Sequence, residues 1–359
     1  MANIRVQTHR LKKGMKIASD VYTSSGVVIV PSGTEVTKEV LELLTKHFAD
    51  DVMVEYTPKK KNAFIVKKSN GIDENREKKI KEFSQTFQIA EEAISQNFKA
   101  IVEQDKDIDV PALVSTVQEV VNKAENDTEL FDMLFSIRRT SENLYTHSVN
   151  VALYAQLLAR WVGFSPEEIE IASLAGLLHD IGHLKYTDKE ENGFSLHDEL
   201  EKRCHEKHSV HGYKLLQNKT VDYRVKQAIL THHERLDESG FPMGVSFENI
   251  NGVARVLAIA DIYATLTVDE EGHPAMLPFE VLKYMQAQEF GKYDAVYLRT
   301  FMEHLAQTFI QQEVLLNNGK KGTIIMLNKL DFARPLVQVE DYYVDLSVQK
   351  DLAIKELLN

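Results

Sequence analysis

The chain has 359 residues and a formal net charge of -12 at pH 7, a balance that excludes a generic basic footprint for nucleic acid. Its single cysteine, Cys204, excludes an internal disulfide framework and a cysteine-based zinc site, and fits a reducing cytoplasm. Hydrophobic residues make up 43% and charged residues 27%, an ordinary soluble composition, and no run of about 18 apolar residues is present to span a membrane.

Residues 1–70 read as a small α/β module. Met1 to Lys16 is polar and basic and lacks the apolar core of a signal peptide. Val27-Val28-Ile29-Val30, followed by Pro31-Ser32-Gly33, predicts a strand and a turn. Thr37 is placed to cap a helix from Lys38 that carries Val40, Leu41, Leu43 and Leu44. Asp51 to Tyr56 reads as a second strand, and Pro58 to Asn62 as a basic break.

Residues 71–126 form a helical linker region. Ile80, Phe83, Phe87, Ala90, Ile94, Phe98 and Ile101 recur at steps of three and four, one face of a helix. Pro111, tolerated in a first turn, starts a second helix. The apolar stripe serves a linker, a homodimer contact or the next core, and packing into that core is the simplest of these.

Residues 127–315 are helix-rich, with long apolar faces over Val149 to Val162, Pro166 to Leu178, Val221 to His232 and Gly252 to Thr267. They predict an orthogonal helical bundle, so the chain as a whole is mainly α. In residues 316–359, Asn317-Asn318-Gly319 marks a turn, and Gly322 to Leu327 and Leu336 to Val339 read as strands. A short β-hairpin and then a short helix from about Val348 are expected.

Ten of the 13 histidines lie between His147 and His273, and imidazole is a common transition-metal ligand. Leu177-Leu178-His179-Asp180-Ile181-Gly182 sets His and Asp directly after a buried-looking helix face. Ala258-Ile259-Ala260-Asp261-Ile262 sets a carboxylate in an apolar run, where an unpaired charge is costly without a partner or a cation. Ile229-Leu230-Thr231-His232-His233-Glu234 adds adjacent imidazoles at a helix end. Neighbours on a helix point about 100° apart. Adjacent ligands therefore suit a site enclosed by several helices, or two ions sharing a carboxylate. His147, His179, Asp180, His208, His232, His233 and Asp261 are the candidate metal ligands. Histidine with carboxylate favours iron, manganese, zinc or cobalt.

Over about residues 130–315 these motifs resemble the HD-GYP family of metal-dependent phosphohydrolases. His147-Ser148-Val149-Asn150-Val151-Ala152 is similar to the first ligand segment and His179-Asp180-Ile181-Gly182 to the HD signature. His208 with His211-Gly212 fits the next histidine. His232-His233-Glu234-Arg235 and Asp237 to Pro242 resemble the HHE and GYP segments, and Ala254-Arg255 through Asp261 the last ligand helix. The resemblance implies an HD-type bundle, two or three iron or manganese ions and hydrolysis of cyclic di-GMP to pGpG or GMP. It implies that Asp180 bridges the metals and that a bridging hydroxide attacks phosphorus. The small N-terminal module and the terminal hairpin also have counterparts in some members.

Four differences from the family fall on functional positions. His183 replaces the HD-x-x-K lysine and is a catalytic candidate beside Asp180, as an extra ligand or a general acid. Gly240-Phe241-Pro242 replaces GYP; these are candidate substrate-binding residues, with a turn role open for Gly240 and Pro242. Ala264, Glu270 and His273 fall where the family continues its motif and grips phosphate, within a segment containing Asp269-Glu270-Glu271. Each lost charge-assisted contact costs about 1.5–3 kcal/mol. Asn143 stands where some members place a further carboxylate, with Glu142 out of register, which favours two ions over three. The polar loop Lys185 to Lys207 reads as a lid, with His197 and His205 as surface residues. The expectation is a cytoplasmic, divergent phosphodiesterase for a cyclic dinucleotide, most directly cyclic di-GMP. The alternatives are a catalytically impaired metal-containing signalling protein or nucleotide receptor, and a phosphohydrolase for another phosphorylated substrate.

Overall fold

The computed structural model describes residues 2–8, 11, 13–23, 27–46, 51–56, 74–137, 143–186, 199–268, 275–288 and 291–358. The basic break at 58–62 lies outside them. Two compact units divide the chain, one within residues 1–65 and one holding residues 66–269 and 275–359.

In the first unit, β1 (Ala2–Gln7) pairs antiparallel with β4 (Asp51–Tyr56), Ile4 opposite Val54. The short β2 (Val21–Tyr22) pairs with β3 (Val28–Val30). Helix α1 (Lys38–Lys46) begins where Thr37 Oγ1 accepts from Val40 N at 3.4 Å, the expected cap. Ile17, Val30, Val36, Leu44, Val52 and Val54 form a small apolar core.

The second unit is built on helices. α2 (Glu74–Gln104) and α3 (Val110–Val121) are followed by α4 (Asp127–Ser136), α5 (Leu144–Trp161) and α6 (Pro166–Leu178). A 3-10 turn (Ile181–Tyr186) leads to α7 (Glu199–Leu216), α8 (Tyr223–Thr231) and α9 (Gly252–Leu266). α10 (Pro278–Ala287) and α11 (Ala295–Gln307) complete the helices. Polar caps start these helices at fixed points. Asn143 opens α5, Ser165 with Glu168 forms a capping box on α6, Asp222 opens α8 and Asn251 opens α9. α5 is buried almost all round and packs against α6 and α9, so it is the axis of the bundle. The stripe on α2 from Phe83 to Ile101 is buried in this same core. It is therefore consumed within the chain and is no surface for a dimer contact. None of the described helices is long and apolar enough to cross a membrane.

The C-terminal segment is larger than the expected hairpin. β5 (Glu313–Leu316), β6 (Lys321–Met326), β7 (Leu336–Val339), β8 (Tyr342–Asp345) and β9 (Ile354–Leu357) make an antiparallel sheet in the order β8-β7-β6-β5-β9. The short helix expected from Val348 does not form. The Arg334 guanidinium instead donates to the carbonyls of Leu346 (2.8 Å), Leu352 (3.2 Å) and Lys350 (3.3 Å), which holds this stretch as turns. The backbone beyond then pairs with β5, Leu357 opposite Val314. Val314, Ile324, Val337 and Val344 join the helical core, so the sheet is stabilised by the burial that also holds the bundle.

Candidate metal centre

The seven candidate ligands come from five helices or helix ends, and all are buried. His147 lies one turn into α5, its N–H donating to the carbonyl of the capping Asn143 at 3.0 Å. His179 is the C-cap of α6, and Asp180 follows before the 3-10 turn. His208 projects from α7, His232 is the C-cap of α8 with His233 next to it, and Asp261 lies within α9. Gly182 permits the approach of the turn to α7. A Cβ there would sit 2.0 Å from the His208 carbonyl oxygen, so a side chain would push Asp180 away from His208.

The ligand atoms form two groups. His147, His179 and Asp261 make one; Asp180, His208, His232 and His233 make the other. Within each, the ligand atoms lie within 4.8 Å of one another. In the first, His147 Nε2 is 3.1 Å from Asp261 Oδ1. In the second, His208 Nε2 is 3.2 Å from the Nε2 atoms of both His232 and His233. Asp180 faces both groups with different oxygens. Its Oδ2 is 3.1 Å from His179 Nε2, and its Oδ1 is 3.2 Å from His208 Nε2.

Hydrogen bonds on the far sides of the rings set their chemistry. His179 Nδ1 donates to Gly176 O and His232 Nδ1 to Ile229 O, each at 2.8 Å. A carbonyl only accepts, so both protons sit on Nδ1 and both Nε2 lone pairs turn inward. The buried His179 Nε2 makes no well-aligned hydrogen bond, although Asp180 Oδ2 lies 3.1 Å away. Converging imidazole lone pairs, a buried nitrogen without a well-aligned hydrogen bond and two carboxylates form a donor set that fits divalent metal ions.

Burial works to raise the Asp180 pKa, but the His179, His183 and His208 imidazoles outweigh it and hold the carboxyl well below its usual range. Asp261 is likewise lowered against burial, by the His147 hydrogen bond and the nearby imidazoles. Burial pulls the His179 pKa down, yet the Asp180 and Asp261 charges leave it raised overall. Burial and His179 lower His232 to about 3, so its ring is neutral at pH 7 and ready to ligate.

His183 is placed beside the second group. Its Nε2 is 3.7 Å from Asp180 Oδ1, and its ring stacks on His208 with centroids 4.3 Å apart. Gly240-Phe241-Pro242 folds back onto the histidine pair. A Cβ on Gly240 would lie 2.4 Å from Arg235 N and Glu234 Cα, so this close approach requires glycine. Phe241 N donates to His233 O at 3.3 Å, and the Phe241 ring stacks on the His233 ring at 4.5 Å. Ala264 is buried in the helical core and presents no charge. Asn143 serves as a helix cap, accepting from Tyr145 N and Thr146 N at 2.9 Å, and donates to Glu91 at 2.7 Å. Glu142, His197, Asp269, Glu270, Glu271 and His273 lie outside the described residues, as do the side chains of Cys204 and His205. Three residues near the histidine pair carry structural contacts that motif reading left unassigned. Glu234 is buried and accepts from two backbone amides. Arg235 donates to His232 O at 3.0 Å and lies over the ring of Tyr293.

Residues 144–266 match the family model of the HD domain, a stretch that contains all seven candidate ligands. The HD-GYP-like motifs read from the sequence fall within that stretch. A cyclic di-GMP phosphodiesterase of Pseudomonas aeruginosa is 29% identical over 207 residues, 57% of this chain and 50% of that protein. The 3'3'-cGAMP-specific phosphodiesterase 1 of Vibrio cholerae is 33% identical over 146 residues, 41% of this chain and 34% of that protein. The cyclic di-GMP phosphodiesterase response regulator RpfG of Xanthomonas campestris is 34% identical over 145 residues, 39% of this chain and 38% of that protein. The chain thus spans half or less of the length of these curated relatives. Among solved structures, Bd1817 of Bdellovibrio bacteriovorus, an HDG"Y"P protein, matches with a TM-score of 0.50 and 17% identity. That match covers 84% of this chain and 98% of Bd1817, and the likeness is one of fold. In this matched stretch the His-Asp pair occupies the junction of α6 and the 3-10 turn, between α5, α7, α8 and α9.

Proposed function

We propose that the HD domain is a metal-dependent phosphodiesterase that hydrolyses a cyclic dinucleotide, cyclic di-GMP in the first place. The observation that carries this reading is the carboxylate of Asp180, with one oxygen on each of two buried ligand groups. We assign His147, His179 and Asp261 to one ion and His208, His232 and His233 to the other, with Asp180 shared. The histidine-rich donor set, with carboxylates, favours iron or manganese. Such a pair, when bound, neutralises phosphodiester charge and makes water nucleophilic at neutral pH.

The chain's own residues supply the rest. The Nδ1 bonds of His179 and His232 to carbonyls hold those rings in one tautomer and orientation. Hydrolysis forms a P–O bond to the oxygen of water and breaks the P–O bond to the sugar, whose leaving oxygen takes up a proton. His183, placed beside Asp180 Oδ1, is the group we assign to deliver it. Phe241 forms an aromatic wall on the His233 side, and we assign it with Gly240 and Pro242 to substrate contact. The relatives, named as phosphodiesterases for cyclic di-GMP or 3'3'-cGAMP, support this substrate class.

A second reading has its own support: Ala264 is buried and apolar in the ligand helix, so that position offers no charge to a phosphate. In that case the domain binds metal and nucleotide without turnover. Manganese- or iron-loaded protein assayed with cyclic di-GMP, 3'3'-cGAMP and pGpG separates the two. Cleavage of a cyclic dinucleotide with release of a linear product is the expected result. Binding by calorimetry with no product from any of the three refutes the enzymatic reading.

A further inference from the structure

We infer that Glu234 is a positioning residue that cinches the loop from Gly240 to Val245 against the histidine pair and so fixes the orientation of His233. The inference rests on the metal-centre reading, yet its readouts do not depend on turnover.

Glu234 is only 2% exposed. A carboxylate withdrawn from water needs strong compensation. Its two oxygens are used separately: Oε1 accepts from Met243 N at 2.7 Å and Oε2 from Val245 N at 3.2 Å. The loop leaves the histidine pair, turns and returns, and one side chain ties its returning strand to its start. The tie closes a short circuit. Gly240 lies against the backbone of His233, Glu234 and Arg235, Phe241 N bonds His233 O, and the Phe241 ring covers the His233 ring. The opposite side is braced as well, since Arg235 donates to the carbonyls of His232 and Glu234, and Leu236 N donates to Lys292 O. His233 is therefore held between a tied loop and a braced backbone. Its ring has no freedom to turn away from His208 Nε2 unless the loop moves.

Glu234→Gln tests the tie with little change in shape. An amide presents one acceptor and one donor group, so one loop N–H meets a donor and loses its bond. Amide exchange at Met243 and Val245 in the metal-free protein is expected to speed up by about tenfold or more, while exchange in α5 and α9 is unchanged. Titration with manganese alone is expected to show the affinity of one of two sites weakened about 10- to 100-fold, the size typical of a lost outer partner of a ligand. Phe241→Ala, which leaves the carboxylate bonds in place, is expected to weaken the same site, and the double variant to add little more. Unchanged amide exchange at Met243 and Val245 in Glu234→Gln would overturn the inference. So would a uniform rise in exchange across α5 and α9, which marks a general structural role. If Glu234→Gln fails to fold, Phe241→Ala decides alone, and unaltered manganese binding in it rejects the coupling from loop to His233.

Discussion

Replacing Asp180 by alanine is expected to strip metal from both ligand groups at once and to lower turnover by on the order of 10³-fold or more. The magnitude follows from sharing. His147 and His208 each belong to one group, so losing either leaves the other group with all its donors. Asp180 faces His179 with Oδ2 and His208 with Oδ1, so its removal takes a donor from each. It also leaves several imidazoles converging without the negative charge between them. Asp180→Asn separates shape from charge. It keeps one acceptor oxygen but loses the anion that His179, His183 and His208 favour, and is expected to lose most of the metal too. Metal content by mass spectrometry, read beside the initial rate, checks both variants. Wild-type metal content in Asp180→Ala would mean that the two groups do not share this residue.

Metal-free protein is expected to lose stability steadily as pH falls from 6.5. His232 carries a slope across this window because its pKa falls from 6.5 to about 3 in the folded chain, and His304, also lowered by burial, adds in the same direction. Between those values the unfolded chain binds a proton that the folded chain refuses, so unfolding takes up that proton and acid favours it. The slope is about 1.4 kcal/mol per pH unit for one such group. Asp180 and Asp261 have depressed folded values, so their stabilisation is present above 3.8 and is lost only as pH falls below it. His179 has a raised folded value; its contribution is complete below 6.5 and fades as pH rises through that value. It therefore adds no opposing slope in the window. Urea unfolding of the metal-free protein between pH 6.5 and about 4 measures the slope directly. His232→Gln should flatten it. An equally steep slope in that variant would assign the lost proton to another group. Bound metal needs the same lone pairs, so acid is also expected to release it.

The histidine-aspartate cluster was legible because its residues contradict their surroundings. Histidine and aspartate at the end of Leu177-Leu178, and Asp261 inside an apolar helix, make sense only with partners, and the structure supplies them from five helices. Adjacent ligands, expected not to chelate one ion from one helix face, divide unevenly: His179 and Asp180 fall in different groups, whereas His232 and His233 fall in the same one. The sequence pattern was weaker where tertiary contacts decide. β9 is four residues long and forms because β5 offers an open edge, while Arg334 occupies carbonyls that a helix would need. β1 carries Ile4 and Val6 in alternation, too short a signal without its partner β4. The stripe on α2 was visible, but its partner was not; the core took it rather than a second chain. Glu234 was visible only as part of the HHE-like segment, which does not give its role. Its role comes from Met243 and Val245, which a turn brings back to it.

Metal analysis of anaerobically purified protein, paired with turnover of cyclic di-GMP by the same sample, tests the two-ion centre most directly. The expected result is two iron or manganese ions per chain, with cleavage that disappears on chelation and returns on reloading. A folded chain that cleaves cyclic di-GMP at an undiminished rate after complete metal removal, or that retains no more than one ion per chain when saturated, would contradict it.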